Sequence, residues 1–124
     1  MKSLLKINNS ELSYRLNLNY NNVYSRLKML LGKKASLFAD ISTKSSGTTW
    51  YSDDDAEYTR LSEAPKEEVN ALSVALNDAV YGVRKELSAS PELSSYVDDI
   101  LEIPDNSFVF YRKNEDGYKF ILAG

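Results

Sequence analysis

The sequence contains neither cysteine nor histidine among its 124 residues. Without cysteine, disulfides, thiol catalysis and cysteine-ligated zinc or iron–sulfur centres are excluded. Without histidine, the commonest general base and the commonest transition-metal ligand are missing. We therefore expect a protein that is not an enzyme and that holds no metal and no cofactor.

Long apolar runs are missing as well. Lys6 ends the first apolar stretch well before the roughly 7–15 apolar residues that a secretion signal needs. Nothing in the sequence approaches the ~18 consecutive apolar residues of a membrane-spanning helix. We therefore predict a cytoplasmic protein with no membrane segment. The content of 43% hydrophobic and 27% charged residues is ordinary for one folded domain, which we expect to span residues 1–124.

The sequence reaches Gly124 directly after the apolar residues Ile121, Leu122 and Ala123. Natural termini are more often polar and frayed. We therefore expect residues 1–124 to be the N-terminal domain of a longer protein.

The net charge of −3 hides an uneven distribution of charged residues. Residues 1–34 carry seven basic side chains and one acidic side chain, whereas residues 53–105 carry four basic and fourteen acidic ones. The basic segment and the acidic segment either form two surfaces for two kinds of partner or are ordinary solvated surface.

Helical spacing is clearest between residues 65 and 88, where apolar residues recur every three or four positions. The residues of this stripe are Val69, Leu72, Leu76, Val80, Val83 and Leu87. Gly82 is expected to weaken this helix and to leave room for a close neighbour. Shorter helices are predicted at 11–16, 21–31 and 91–101, and Gly32 ends the second of them.

Two stretches have the composition of β-hairpins. Residues 36–52 begin with the two-residue alternation of side chains that is typical of a strand and then become rich in strand-forming residues. A turn is predicted at 44–47. Residues 108–123 contain the turn signal Asp116-Gly117 and carry apolar residues on both faces, which indicates a hairpin covered on both sides. The sequence therefore predicts an α+β fold in which the two hairpins form one antiparallel sheet packed on helix 65–88.

Residues 11–30 have the spacing of a helix-turn-helix. Leu12 and Leu16 are placed to pack the first helix, Asn17 tolerates the turn, and Leu18 and Val23 fill the gap between helices. The segment resembles the DNA-reading segment of the leucine-responsive/asparagine-type bacterial regulators over about twenty of the 124 residues.

That resemblance implies a second helix lying in the major groove of DNA. It also implies that hairpin 36–52 is a wing. By the same resemblance, the residues expected to contact bases are Tyr20, Asn21, Asn22, Tyr24 and Ser25. The residues expected to contact phosphates are Arg26 and Lys28.

Aromatic residues flank the run Asp53, Asp54 and Asp55. Tyrosine and tryptophan are frequent at protein interfaces because they are rigid and amphipathic. The sequence therefore predicts a protein-contact surface made of Trp50, Tyr51, Asp53, Asp54, Asp55 and Tyr58. The alternative is that these aromatic residues pack over the long helix. A calcium loop starting at Asp53 is excluded, because Tyr58 and Ala64 stand where an EF-hand needs Gly and Glu.

The function that these features favour is a non-catalytic protein-interaction or structural module of a bacterial protein. Its partner would be another protein or a further domain of the same chain. The alternative is a winged helix-turn-helix domain that binds nucleic acid through residues 20–28.

Overall fold

The computed structural model describes residues 3–8, 20–44, 47–52, 54–101, 103 and 106–123. The chain has a mixed fold of helices and two small antiparallel sheets, so the predicted α+β class is confirmed. The predicted helix 11–16 and residues 45–46 of the predicted turn 44–47 lie outside the described residues.

The first sheet contains three strands in the order β1–β3–β2. These are β1 (Ser3–Asn8), β2 (Asp40–Lys44) and β3 (Gly47–Tyr51), and both pairings are antiparallel. The central strand β3 is the one richest in β-forming residues, and its Trp50 lies opposite Leu5 on one side and Ile41 on the other.

The second sheet has the order β4–β5–β6, again antiparallel. Its strands are β4 (Thr59–Arg60), β5 (Val109–Asn114) and β6 (Gly117–Leu122). The side chain of Asn114 accepts a hydrogen bond of 3.1 Å from the backbone N–H of Asp116 in the tight turn between β5 and β6. Gly117 follows with φ = 136°, a value that glycine adopts at little cost.

The prediction of a single sheet is wrong: the two hairpins lie in different sheets, and each pairs with an additional strand instead of with the other hairpin. β1 completes the first sheet, and the two-residue strand β4 completes the second. The two sheets are joined by a parallel bridge between Phe38 and Leu122, where the N–H of Ala39 donates to the Leu122 carbonyl at 3.0 Å.

The long helix α2 (Val69–Ser88) follows a 3-10 turn at Lys66–Glu68, so the predicted helix 65–88 is confirmed. Its buried face carries Leu72, Leu76, Val83 and Leu87 and packs on the second sheet. The described residues provide no close neighbour for Gly82, because a Cβ at this position would meet none of their atoms within 4 Å.

The first described helix, α1 (Tyr20–Leu31), ends where Gly32 takes the left-handed φ of 56°, as the sequence predicts. Residues Gly32–Leu37 then form a 3-10 helix instead of the start of a strand. This tight turn buries Ala35 and Leu37 against the core, so the first hairpin begins only at Asp40.

The predicted helix 91–101 is shorter in the structure. Residues Ser94–Tyr96 form a 3-10 turn and α3 covers Val97–Ile100. A tight connection precedes them, with the N–H of Ser94 donating to the Ser90 carbonyl at 2.9 Å. Short 3-10 turns bury residues three apart without a full helix.

One hydrophobic core connects both sheets and the helices. Both faces of the second hairpin are buried: Val109 pairs with Leu122 on one face and Phe110 with Ile121 on the other. The prediction that this hairpin is covered on both sides is therefore confirmed. None of the described helices is long and apolar enough to cross a membrane.

Candidate protein-interaction surface

The residues of the predicted contact surface do not share one exposed face. Trp50 is 0% exposed near the end of the central strand β3, so it is a core residue, and this corrects its assignment to a contact surface. Tyr51 is half-buried and Asp55 is exposed. Asp53 lies outside the described residues.

Asp54 and Tyr58 lie at the centre of a polar cluster that ties the acidic loop to the second sheet. The Tyr58 hydroxyl donates to Asp54 Oδ2 at 3.0 Å, and the backbone N–H of Ala56 donates to Oδ1 at 3.2 Å. Lys119 on β6 donates to Oδ2 at 3.2 Å, and the guanidinium of Arg112 on β5 lies 3.7 Å from the same oxygen. The Asp54 carboxylate is therefore engaged in hydrogen bonds and ion pairs within the chain itself.

The two cations of this cluster are direct neighbours across the β5–β6 ladder, where Arg112 pairs with Lys119. Like charges opposite one another destabilise a strand pair. The Asp54 carboxylate neutralises them, and the ring centroid of Tyr58 lies 5.9 Å from the Arg112 guanidinium and 5.8 Å from Lys119 Nζ. The acidic loop thus acts as an internal counter-ion.

Burial disfavours the charged form of Asp54, but hydrogen bonds from Lys119, Tyr58 and Ala56 outweigh it and hold the pKa of this carboxyl below its ordinary value. Asp54 is consequently ionised near neutral pH. Within the described residues, no group of three or more carboxylate, histidine or cysteine side chains is arranged to hold a metal ion.

The residues that the helix-turn-helix resemblance assigns to DNA all lie on α1. The side chains of Tyr20, Asn21 and Asn22 lie outside the described part of the structure. Of the remaining four, Ser25, Arg26 and Lys28 are exposed, and Tyr24 is half-buried.

Acidic side chains accompany three of these four residues. The Tyr24 hydroxyl donates a hydrogen bond to the Asp40 carboxylate at the start of β2. Lys28 Nζ lies 3.4 Å from the same carboxylate and 4.8 Å from the Tyr24 ring centroid. Arg26 lies 3.9 Å from Glu92. Both cations remain more than half exposed, at 58% for Arg26 and 57% for Lys28.

An apolar surface lies beside these charges on α1. Met29 is 88% exposed and Leu30 is 42% exposed, whereas Leu27 and Leu31 of the same helix are buried. Met29 and Leu30 line a groove of about 250 Å³ whose far wall is formed by Ser90, Glu92 and Leu93. We call Met29, Leu30 and this groove the α1 surface.

Neither the cations around Asp54 nor the α1 surface was identified from the sequence. The sequence does contain an indication of the α1 surface, because Met29, Leu30 and Leu31 are consecutive and successive helical residues point about 100° apart. A helix cannot turn all three toward one core. The role of Arg112 and Lys119 had no local signal, because Asp54 lies far from them in sequence.

No protein-family profile, curated protein or solved structure matches this chain.

Proposed function

We propose that this chain is a non-catalytic protein-interaction module that binds its partner through the α1 surface. The observation that carries the proposal is the exposure of two adjacent large apolar side chains on one helix, 88% for Met29 and 42% for Leu30. Leu93, which is only 2% exposed, contributes apolar lining to the far wall of the neighbouring groove.

The energetics favour contact over solvation at this surface. Full burial of a methionine or leucine side chain contributes about 1.5–3 kcal/mol. Methionine also adapts its shape to a partner because it is unbranched and has three rotatable bonds. Arg26 and Glu92 border the groove with opposite charges, which is the polar rim that protein interfaces commonly have.

Site-specific photo-crosslinking in the native cells tests the proposal. A photoreactive residue at position 29 is expected to crosslink one protein, and Leu30→Glu is expected to abolish that product. The mass of the product separates a partner protein from another domain of the same chain. The matched control carries the photoreactive residue at Lys113, an exposed position on β5. Identical products from both positions, or a product unaffected by Leu30→Glu, would contradict the α1 surface as an interface.

A winged helix-turn-helix DNA-binding domain is the second candidate, supported by the arrangement around α1. The hairpin β2–β3 follows α1 in the chain and pairs with β1 in the order β1–β3–β2, which suits a wing beside a reading helix. Arg26 and Lys28 are exposed on that helix. Asp40, close to Lys28, weakens the positive potential that phosphates would meet.

Titration of labelled duplex DNA at two salt concentrations tests this second candidate. DNA binding would weaken steeply with salt, and the double variant Arg26→Ala/Lys28→Ala would lower the salt slope by about 2, one for each lost phosphate contact. Lys113→Ala is the matched control, since it removes an exposed cation away from α1. No binding at low salt would eliminate the DNA hypothesis and leave the protein-interaction proposal untouched.

A further inference from the structure

Strand β6 has an outer edge whose backbone groups are mostly unpaired among the residues that the structure describes. β6 is an edge strand of the second sheet, and its hydrogen bonds to β5 use every second residue. The Ala123 N–H donates to the Phe108 carbonyl at 2.9 Å, whereas the Leu122 carbonyl accepts from Ala39 on the opposite side at 3.0 Å. This alternation directs the N–H and C=O of Tyr118 and Phe120 outward, on the same side as the Leu122 carbonyl.

Within the described part of the chain, pairing with this edge is confined to its end. Phe38 forms the parallel bridge to Leu122, but the residues before it turn away into the 3-10 helix Gly32–Leu37. Among the described residues, the outward backbone groups of Tyr118 and Phe120 have no backbone hydrogen-bond partner. An edge with repeated free donors and acceptors is a template for an added strand.

A groove of about 310 Å³ runs along this free edge. One wall is α2, with Asp78, Ala79, Gly82 and Val83, and the other is the 3-10 helix, with Lys34, Ser36 and Leu37. Tyr118, Lys119 and Phe120 form its base. Gly82 opens the α2 wall, since a Cβ there would meet no atom within 4 Å.

The charges of the groove indicate the chemistry of its occupant. The two cations of the lining are already paired: Lys34 lies 3.0 Å from Glu86, and Lys119 lies 3.2 Å from Asp54. Asp78, on the exposed side of α2, has no ion pair with any residue that the structure describes. The complementary group is a lysine or arginine on the incoming segment.

We propose that the edge of β6 binds an extended segment of a partner polypeptide as an additional strand. Its backbone pairs with Tyr118 and Phe120, one apolar side chain fills the space over Gly82, and a basic side chain two residues away reaches Asp78. The spacings agree, because one helical turn from Asp78 to Gly82 rises about 6 Å and residues i and i+2 of a strand lie about 6.6–6.8 Å apart. This site is separate from the α1 surface and does not rest on it.

Nuclear magnetic resonance of the isotope-labelled chain tests the proposal with defined probes. The probe is the acetylated and amidated peptide Thr-Val-Thr-Lys-Thr. Two matched peptides replace its lysine by glutamate or carry N-methyl groups on alternate backbone nitrogens. Before peptide is added, the amides of Tyr118 and Phe120 should exchange with solvent faster than those of Lys119 and Ile121. On titration with the probe, the Tyr118 and Phe120 amides should shift together.

Two variants test whether the peptide binds in the groove. Gly82→Leu fills the groove and should abolish the shifts while leaving the thermal midpoint unchanged or raised. The control Ala71→Leu adds the same side chain to an exposed position of α2 outside the groove and should bind the probe normally. Asp78→Lys should weaken binding of the lysine peptide by about fivefold and strengthen that of the glutamate peptide, as expected for exposed charge pairs.

Three results would overturn the proposal. The first is slow exchange at Tyr118 and Phe120. The second is an absence of peptide-induced shifts at these amides, or shifts that Gly82→Leu or N-methylation leaves intact. The third is a concentration-dependent shift of the same amides without peptide, which would assign the edge to a second copy of the chain.

Discussion

Asp54 shows how a single carboxylate can decide the arrangement of a loop on a sheet. It accepts hydrogen bonds from Tyr58, Ala56 and Lys119, and it forms ion pairs with both Lys119 and Arg112. The sequence predicted an acidic and aromatic cluster here but assigned it to a partner. Two of the groups that bind this carboxylate, Lys119 and Arg112, lie on a distant hairpin, and no local pattern reveals a contact between residues so far apart in the chain.

The Asp54 cluster leads to a stability prediction. Asp54→Asn should lower the free energy of unfolding at neutral pH by about 1–2 kcal/mol, since charge-assisted hydrogen bonds are lost at a site that is still 32% exposed. Chemical denaturation followed by fluorescence measures this loss. Asp116→Asn, in the exposed turn between β5 and β6, is the control and should change little.

The same substitution has a defined pH dependence. Because the folded-state pKa of Asp54 is lowered, its contribution is present above the ordinary carboxyl pKa and disappears as the pH falls through the lowered value. The stability difference between the natural chain and Asp54→Asn should therefore be constant near neutrality and shrink below about pH 4. A difference that persists in strong acid would show that packing, not charge, accounts for the loss.

Among the elements, α2 was the most predictable and the segments around it the least. Its apolar stripe extends over five turns, and that length outweighs the low helix propensity of Gly82. The 3-10 helix Gly32–Leu37 and the two-residue strand β4 are too short to show a periodic spacing of apolar residues. Their conformations depend on what they pack against, which the local sequence does not contain.

Gly82 gives a prediction at the scale of this helix. Gly82→Ala should stabilise the protein by about 0.5–1 kcal/mol, because a helical glycine costs backbone entropy and the added Cβ meets no atom within 4 Å. Ala71→Gly, at an exposed position of the same helix, should destabilise it by a similar amount. Thermal unfolding of both variants checks the pair. A loss of stability in Gly82→Ala would mean that the groove is narrower than described.

At the scale of the whole molecule, the sequence predicts the class of fold but not the division into two sheets. The hairpins were predicted from their own turns and alternation, which are local signals. Which strands pair across long stretches of chain depends on burial in three dimensions. The bridge from Phe38 to Leu122 is such a contact, and both residues are almost completely buried.

That bridge also constrains when the protein can fold during synthesis. The ribosome makes β1, α1, β2 and β3 long before β6, yet Ala39 at the entrance to β2 is anchored by the Leu122 carbonyl. We therefore expect the first sheet to be incompletely anchored until the last strand of the second sheet has left the exit tunnel. During that interval we expect its apolar side chains to be accessible to chaperones, and we expect β6 to complete the anchoring.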